Sequence, residues 1–183
     1  MHLNSRREQE QFSESDHDLF NRIVDEYSDR LYSIIYRITN NRENVLDILQ
    51  NTFYKAYKNA DRFRGDSSIY TYLVSIAVNE ARQYLRKEKP HLFMPIEENL
   101  IRKRHYTTAD ERMIRKDRRA LLEDALSKLP EKYREVIILR DIEEFSIKET
   151  AEIMNENEST IKTRTRRGRF LLRDLLESKI EGM

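Results

Sequence analysis

Apolar residues recur at the spacing of one helix face along three successive stretches in the first half of the chain. The first stretch ends at the polar run of residues 39–43, and the second covers residues 45–63. The third follows Ser67 and Ser68, either of which can cap a helix, and it ends in a basic run. Three amphipathic helices joined by short polar turns predict a small helical bundle over residues 12–90.

Residues 91–116 lack this periodicity. Pro90 and Pro95 flank a short apolar run, and a mixed charged stretch follows them. We interpret this segment as a flexible linker between two domains. The helical pattern then returns, and Pro130 stands where it can begin a further helix in its first turn. A second helical domain is therefore predicted over residues 117–180.

The last part of the second domain has the features of a helix-turn-helix. Ser146 and Glu149 have the spacing of a capping box, which fixes the start of a helix. Asn155 follows that helix, and asparagine tolerates the left-handed backbone that a tight turn requires. Asn157 or Ser159 can cap the next helix. These positions predict two short helices joined by a tight turn.

The second of these two helices is strongly basic. Where two helices cross steeply they need a small residue and an apolar partner, here Ala151 and Ile161. Residues 162–173 contain six basic and no acidic residues, whereas residues 141–158 contain seven acidic residues and one basic. A helical wheel places five polar residues outward, where they can donate to phosphates and base edges: Ser159, Lys162, Thr163, Arg166 and Arg167. Phe170 also points outward. The alternative interpretation of the basic residues is that they form only a solvated helix face.

The first domain carries polar and aromatic residues that a core does not require. Four residues lie away from the apolar face of its second helix: Asp47, Gln50, Asn51 and Tyr54. Aromatic and basic residues surround the following polar loop: Phe63, Tyr70, Tyr72, Tyr84, Arg82, Arg86, Lys87 and Lys89. Aromatic rings beside cations suit single-stranded DNA, whose bases stack and whose backbone is anionic. Taken singly, Tyr72 and Tyr84 are each better explained as core aromatics of the helix.

Composition narrows the class of protein. The 183 residues are 38% hydrophobic and 37% charged, and three Gly and three Pro are too few for a β-sandwich or barrel. There is no cysteine, the four histidines lack metal-ligand spacing, and no glycine-rich phosphate loop is visible. We therefore expect an all-α protein that is not an enzyme, with no catalytic residue, metal or cofactor. Without a signal peptide or a long apolar run, it is expected in the cytoplasm with no membrane insertion.

Two long segments resemble a known family. The runs DILQNTFYKAY and YTYLVSIAVNEARQYLRK are similar to region 2 of the extracytoplasmic-function (ECF) sigma factors of the sigma-70 family. The run LSKLPEKYREVIILRDIEEFSIKETAEIMNENESTIKTRTRRGRFLLRDL is similar to their region 4. The two segments occur in the family's order and are separated by a short linker, as in the family. The resemblance implies a factor that binds core RNA polymerase and directs transcription initiation at specific promoters.

The resemblance also implies roles for individual residues. It implies docking on the clamp helices of the polymerase β′ subunit through Asp47, Ile48, Leu49, Gln50, Phe53 and Tyr54, with further contact to the β subunit. It implies capture of a flipped base of the promoter −10 element by Ser67, Ser68, Tyr70, Asn79, Arg82 and Arg86. It implies recognition of the duplex −35 element by Ser159, Thr160, Lys162, Thr163, Arg166, Arg167 and Arg169. An anti-sigma factor is expected as a further partner, and the free protein is expected to be a monomer.

Some positions depart from the family pattern, and one alternative function remains. Tyr72 stands where the family usually has Trp, and residues 155–158 replace a more apolar turn that usually contains Pro. These departures bear on promoter preference. The alternative is a helix-turn-helix regulator that works without polymerase and whose first domain senses a ligand or dimerises. Such a domain would require an apolar pocket or dimer face, whereas this one is predicted to expose Asp47 and Gln50.

Overall fold

The computed structural model describes residues 14–60, 63, 65, 67–88 and 111–180, which form seven α-helices and one π-helical turn. The helices are α1 Glu14–Thr39, α2 Val45–Lys58, α3 Ile69–Glu88, α4 Glu111–Lys128, α5 Glu131–Ile137, α6 Ile147–Met154 and α7 Glu158–Ile180. The π-helical turn, Ile138–Ile142, continues α5. No β-strand occurs within these ranges. The predicted all-α fold is confirmed.

Helices α1 to α3 pack into the predicted bundle. The apolar face of α1 supplies fully buried residues to its core: Leu31, Ile34, Ile35 and Ile38. Helix α3 supplies another fully buried set: Leu73, Val74, Ala77, Val78 and Ala81. Helix α1 ends where Asn40 takes a left-handed backbone with φ of 52°. The apolar spacing read along α3 and the second half of α1 therefore corresponds to buried faces, whereas Leu19, near the start of α1, is 57% exposed.

The second helix is shorter than its apolar spacing predicts. The pattern continues to Phe63, but α2 ends at Lys58, because its C-cap Asn59 leaves the helical conformation with φ of −111° and ψ of 18°. The backbone N–H of Asn59 and its side-chain Nδ2 both donate to the carbonyl of Lys55, the latter at 2.8 Å. Phe63 lies outside the helix, where its ring packs 5.0 Å from that of Tyr72. Extending α2 to Phe63 was therefore wrong.

Helices α4 to α7 form the second unit around a smaller apolar core. Leu126, Leu129 and Ile137 are buried there, and α7 covers them with three leucines: Leu171, Leu172 and Leu175. Pro130 is the N-cap of α5 and so lies one position before the predicted first turn. Beyond α5 the chain forms the wider π-helical turn.

The two units pack against each other, chiefly through α3 and α6. One continuous core cluster contains the buried residues of α1 to α3 together with those between positions 136 and 161. Helix α4 begins at Glu111, inside the segment predicted as linker, and residues 91–110 lie outside the described residues. The division of the chain into a first domain at 12–90, a linker at 91–116 and a second domain at 117–180 stays a prediction. Within the described ranges, no helix is long and apolar enough to cross a membrane.

Candidate functional site

The helix-turn-helix begins with a complete capping box. The Glu149 backbone N–H donates to Ser146 Oγ at 3.1 Å, and the Ser146 N–H donates to a Glu149 carboxylate oxygen at 2.8 Å. Hydrogen bonding of the Glu149 carboxylate to the side chain and the backbone N–H of Ser146 lowers the pKa of Glu149. The predicted start of α6 is therefore confirmed.

The turn after α6 also follows the prediction. Asn155 ends α6 in the left-handed conformation, with φ of 52° and ψ of 51°. Asn157 then caps α7, because its Oδ1 accepts from the Thr160 backbone N–H at 2.8 Å. Ser159, the other predicted cap, donates to the same Oδ1 atom at 2.6 Å. Asn157 is therefore the cap, and Ser159 supports it.

The inner face of α7 packs closely on the rest of the second unit. Ile161 is fully buried, and the Thr165 hydroxyl satisfies itself by donating to the Ile161 carbonyl at 2.8 Å. A Cβ atom at Gly168 would lie 3.0 Å from Ile137 Cγ1 and 3.4 Å from the Tyr133 carbonyl oxygen. Glycine at this position therefore allows α7 to approach α5.

The outer face of α7 is exposed as the wheel predicts. All five outward residues are exposed: Ser159, Lys162, Thr163, Arg166 and Arg167. Thr160 is half-buried. Phe170 is 52% exposed and borders a groove of about 490 Å³ together with Arg140, Ile147 and Arg173. This face combines cations with hydroxyl donors on one exposed side of the helix.

Arg169 is held by two of its guanidinium nitrogens, whereas Lys162 and Arg173 each make a single ion pair with an acid of α7 itself. The Nε and Nη2 atoms of Arg169 donate to the Asp141 carboxylate at distances between 2.5 and 3.2 Å. These hydrogen bonds raise the pKa of Arg169. Asp141 was not singled out from the sequence, because the two residues lie 28 positions apart and no periodicity connects them. Arg169 can contact DNA only by sharing or leaving Asp141.

The residues predicted to bind polymerase divide into an exposed and a buried group. Asp47, Gln50 and Tyr54 are exposed on α2, and Leu49 is half-buried. Ile48 and Phe53 lie in the core of the bundle, with 5% and 8% exposure. Leu46, which no sequence pattern marked as functional, is 58% exposed on the same helix. The outer face of α2 therefore joins a carboxylate and a carboxamide to two exposed side chains with large apolar surfaces, Leu46 and Tyr54.

The hydrogen bonds of Tyr84 decide whether it is a core aromatic or a contact for single-stranded DNA. The side-chain amides of Asn41 and Asn44 each donate to Tyr84 Oη at 2.9 Å. Tyr84 is half-buried and ties α3 to the connection between α1 and α2. Its role in this structure is therefore structural.

The residues predicted to bind the −10 element fall into three environments. Ser68 caps α3, because its Oγ accepts from the Thr71 N–H at 3.0 Å, and Ser67 beside it is half-buried. Asn79 and Arg86 are exposed on α3. Tyr70 and Arg82 instead contact the second helical unit.

Tyr70 is only 9% exposed, and its partners come from both units. Its ring stacks with Tyr27 of α1 and with Phe145 of the loop before α6, with a centroid distance of 5.4 Å in each case. Its hydroxyl donates to a Glu143 carboxylate oxygen at 2.7 Å. Burial and this carboxylate raise the pKa of Tyr70 well above its usual value, so the phenol stays protonated.

Arg82 places all three guanidinium nitrogens on the second unit. Its Nε and Nη2 donate to the two Glu135 carboxylate oxygens at 3.0 and 2.7 Å. Its Nη1 donates to the Met154 carbonyl at 3.3 Å. The hydrogen bonds to Glu135 raise the pKa of Arg82 further. Neither Glu135 nor Glu143 was identified from the sequence.

Two helical units, one of which presents a basic helix from a helix-turn-helix, define a DNA-binding protein. Residues 23–91 match the family described as Sigma-70 region 2, and residues 119–169 match Sigma-70, region 4. The ECF RNA polymerase sigma factor SigW of Bacillus subtilis (strain 168) is 34% identical over 174 residues, covering 91% of this chain and 93% of SigW. The ECF RNA polymerase sigma-E factor of Haemophilus influenzae is 29% identical over 185 residues, covering 95% and 94% of the two chains.

A solved structure shares this arrangement. The sigma factor RpoE of Bartonella quintana, solved in complex with the anti-sigma factor NepR, has 26% identity and a TM-score of 0.67, covering 87% of this chain and 98% of RpoE. The chain belongs to the ECF sigma factors of the sigma-70 family. It is thus a transcription-initiation factor and not an enzyme, and sigma factors bind RNA polymerase and promoter DNA. Membership of this family excludes the polymerase-independent regulator.

Among the described residues, no group of three or more His, Cys, Asp or Glu side chains is arranged to hold a metal ion. His2, His91 and His105 lie outside the described residues.

Proposed function

We propose that three surfaces of this sigma factor divide the work of initiation. The outer face of α2 docks on the β′ clamp helices, α3 and the loop before it capture the −10 element, and α7 recognises the −35 duplex, while further contacts reach the β subunit. Residues 12–90 form the first domain and 117–180 the second, with 91–116 as the linker. The observation that carries this proposal is the outer face of α7, where every outward residue predicted from the wheel is exposed.

The docking surface is proposed to centre on Asp47, Gln50 and Tyr54. These side chains are exposed, so they can reach a partner without rearrangement of the bundle. Ile48, Leu49 and Phe53 support α2 from beneath, and Leu46 adds apolar area at the rim. An apolar centre with a few polar groups suits a specific protein interface.

The −35 surface is proposed to act in the major groove. Lys162, Arg166 and Arg167 can neutralise phosphates or donate to guanine, and Thr163 adds a hydroxyl donor. Ser159 would donate to DNA after exchanging Asn157 Oδ1 for it. Thr160 stands at the first turn of α7, where backbone N–H groups also favour phosphate. Arg169 would contribute after exchanging Asp141 for a phosphate.

The −10 surface is proposed to bind unpaired bases. Ser67, Ser68 and Tyr70 lie at the start of α3, while Asn79, Arg82 and Arg86 lie along it. An extruded base loses stacking and pairing worth a few kcal/mol, and contacts in a protein pocket can offset that loss. Because the linker and polymerase hold both domains on one promoter, the second contact forms at high effective concentration.

An anti-sigma factor is proposed as the regulator of this protein. Support comes from the Bartonella quintana RpoE structure, in which a similar chain is in complex with the anti-sigma factor NepR. The free protein is proposed to be a monomer. It is proposed to lie in the cytoplasm, since its polymerase and DNA partners are found there.

Co-purification with core polymerase tests the docking surface. We expect the double variant Asp47→Ala/Gln50→Ala to lose at least about tenfold in affinity, which is typical of residues central to an interface. The matched control is Asn21→Ala/Asp25→Ala, which changes one exposed carboxamide and one exposed carboxylate on α1. Retention of normal polymerase binding by the α2 variant would contradict the docking proposal.

A further inference from the structure

Phe170 is an exposed aromatic residue on a helix face that otherwise carries polar and basic side chains. It is 52% exposed, and it is not one of the residues proposed to bind polymerase or DNA. The apolar residues that hold α7 on the second unit lie on its inner face, where Ile161 is fully buried and Leu172 packs on the smaller core. Packing within the protein therefore does not account for a phenyl ring at this position.

Phe170 lies on the same stripe of α7 as residues proposed to contact the −35 element. Thr163 and Arg166 precede it at helical spacing, by seven and four positions, and both are exposed. From Thr163 to Phe170 the helix rises about 10.5 Å, because each residue adds about 1.5 Å. The major groove of B-DNA is about 12 Å wide. A helix that enters the groove with Thr163 and Arg166 therefore brings Phe170 to the edge of the same groove.

The surroundings of Phe170 favour DNA over a protein as its partner. The ring borders the groove of about 490 Å³ on this side of α7, whose lining includes five cations: Arg140, Lys162, Arg166, Arg169 and Arg173. A protein partner would have to present acids around an apolar group to match this groove. DNA supplies phosphates along its whole length, and its interfaces with proteins are strongly basic. The groove also continues the proposed −35 surface, since Lys162 and Arg166 belong to both.

Arg173 restricts the orientation of the Phe170 ring. Its guanidinium carbon lies over the ring, 5.5 Å from the centroid, in a cation–π contact. The Arg173 Nε also lies 3.6 Å from a Glu177 carboxylate oxygen, so this arginine is oriented from within α7. About half of Phe170 stays open to a ligand. A side chain that is already oriented loses less conformational entropy when it binds.

We propose that Phe170 packs against the methyl group of a thymine at the edge of the −35 element, and that this contact makes the protein prefer thymine there. Thymine presents a C5-methyl group in the major groove, and phenylalanine is one of the side chains that contact it. The surrounding cations neutralise the flanking phosphates while the ring covers the methyl group. This inference rests on the proposed −35 function of α7 and adds a determinant of promoter specificity to it.

The test removes the methyl group from the DNA without any other change. Holoenzyme reconstituted with the full chain is bound to duplexes that carry the −35 segment of a promoter mapped with the same holoenzyme. Each thymine of the segment is replaced in turn by deoxyuridine, which lacks only the methyl group. At one edge position, we expect the replacement to weaken binding about fourfold, the effect of leaving one methyl group in water.

Variants at Phe170 complete the comparison. Phe170→Ala should bind the unmodified duplex at least about fourfold more weakly, and should no longer distinguish thymine from deoxyuridine at that one position. Phe170→Leu keeps an apolar side chain and should retain part of the discrimination. The control Leu19→Ala removes a similarly exposed apolar side chain from α1, and should change neither affinity nor discrimination. Circular dichroism verifies that each variant is folded.

Selection from duplexes with a randomised −35 segment measures the base preference directly. Wild-type holoenzyme should enrich thymine at one edge position. Phe170→Ala should lose this enrichment and keep the preferred bases at the other positions. A role of Phe170 in folding alone would weaken the preference at every position alike.

The negative outcomes have different meanings. If Arg166→Ala/Arg167→Ala leaves −35 binding unchanged, the proposed function of α7 is wrong. If that variant loses binding, but Phe170→Ala responds to every deoxyuridine as wild type does, the thymine contact is wrong. An equal loss of affinity for all sequences would assign the ring to the DNA backbone and would also overturn the inference. Unchanged DNA binding by Phe170→Ala would do the same, and would leave the ring to a protein partner.

Discussion

Arg82 and Glu135 join the two helical units through a two-pronged ion pair with distances of 3.0 and 2.7 Å. The Glu135 side chain is 3% exposed and that of Arg82 is 18% exposed. Removing water from two charges carries a large desolvation penalty, so such a pair contributes more to a specific arrangement than to net stability. An arginine predicted to contact DNA is thus held, in the free protein, by an acid from the other unit.

The basic face of α7 should show a salt-dependent contribution to −35 binding. Replacing Arg166 and Arg167 with Ala should weaken binding to a −35 duplex, because both guanidinium groups are exposed and can displace counterions from phosphates. The slope of log affinity against log salt should become shallower by about 0.9 for each phosphate that the variant no longer neutralises. The control Lys128→Ala/Lys132→Ala removes two cations outside α7. Unchanged affinity and salt slope in the α7 variant would contradict the proposal that this face of α7 binds the −35 duplex.

Asp141 is expected to restrain DNA binding by occupying Arg169. Because their ion pair competes with phosphate, Asp141→Asn should strengthen −35 binding and steepen the salt slope by about 0.9, as one further phosphate is neutralised. Salt titrations of duplex binding measure both effects. Asp174→Asn removes an exposed carboxylate from α7 and serves as the control. An equal gain in both variants would assign the effect to net charge and not to Arg169.

The capping box should make the second unit sensitive to acid. The pKa of Glu149 is lowered by its hydrogen bonds with Ser146, so the carboxylate stabilises the fold above its ordinary pKa of about 4.3. That contribution disappears as pH falls through the lowered value. Urea unfolding should give wild type a higher midpoint than Glu149→Gln at pH 7, and the difference should shrink as pH falls through the lowered pKa of Glu149.

Glu152→Gln, on the same helix, is the control for this measurement. A difference between wild type and Glu149→Gln that stays constant across the pH range would show that the charge of Glu149 is not responsible.

Gly168 should tolerate no branched side chain. Its Cβ position lies 3.0 Å from Ile137 Cγ1, so Gly168→Val should push α7 away from α5 and lower the free energy of unfolding by about 1–3 kcal/mol. Chemical denaturation of the full chain measures this destabilisation. Thr163→Val, which places valine on the exposed side of α7, should change stability little. Equal stability of the two variants would mean that α7 does not need its close approach to α5.

Local features of this protein could be predicted from its sequence with good accuracy. The capping box at Ser146, the left-handed Asn155 and the buried Ile161 all follow from short-range rules, and all are found. These rules succeed because each depends on residues within a few positions of one another. The wrong prediction at Phe63 shows where such rules fail, because the apolar spacing continues beyond Asn59, where α2 has already ended.

The partners of the site residues could not be predicted in the same way. Arg82 and Glu135 are 53 positions apart, and Tyr70 and Glu143 are 73 positions apart. Periodicity shows which face of a helix is buried, but it does not show which other face it meets. Asp141 was counted only as one of several acids, and its pairing with Arg169 required the packing of α7 on α5 and the turn that follows it.

Both helical units are proposed to act on one promoter while bound to polymerase. Transcription of fragmented genomic DNA by core polymerase, with and without this protein, followed by sequencing of the transcript 5′ ends, tests this most directly. We predict start sites that depend on the protein and share two upstream sequence elements at one fixed spacing, and Arg166→Ala/Arg167→Ala should weaken their use. A set of start sites that is the same with and without the protein would contradict this proposal.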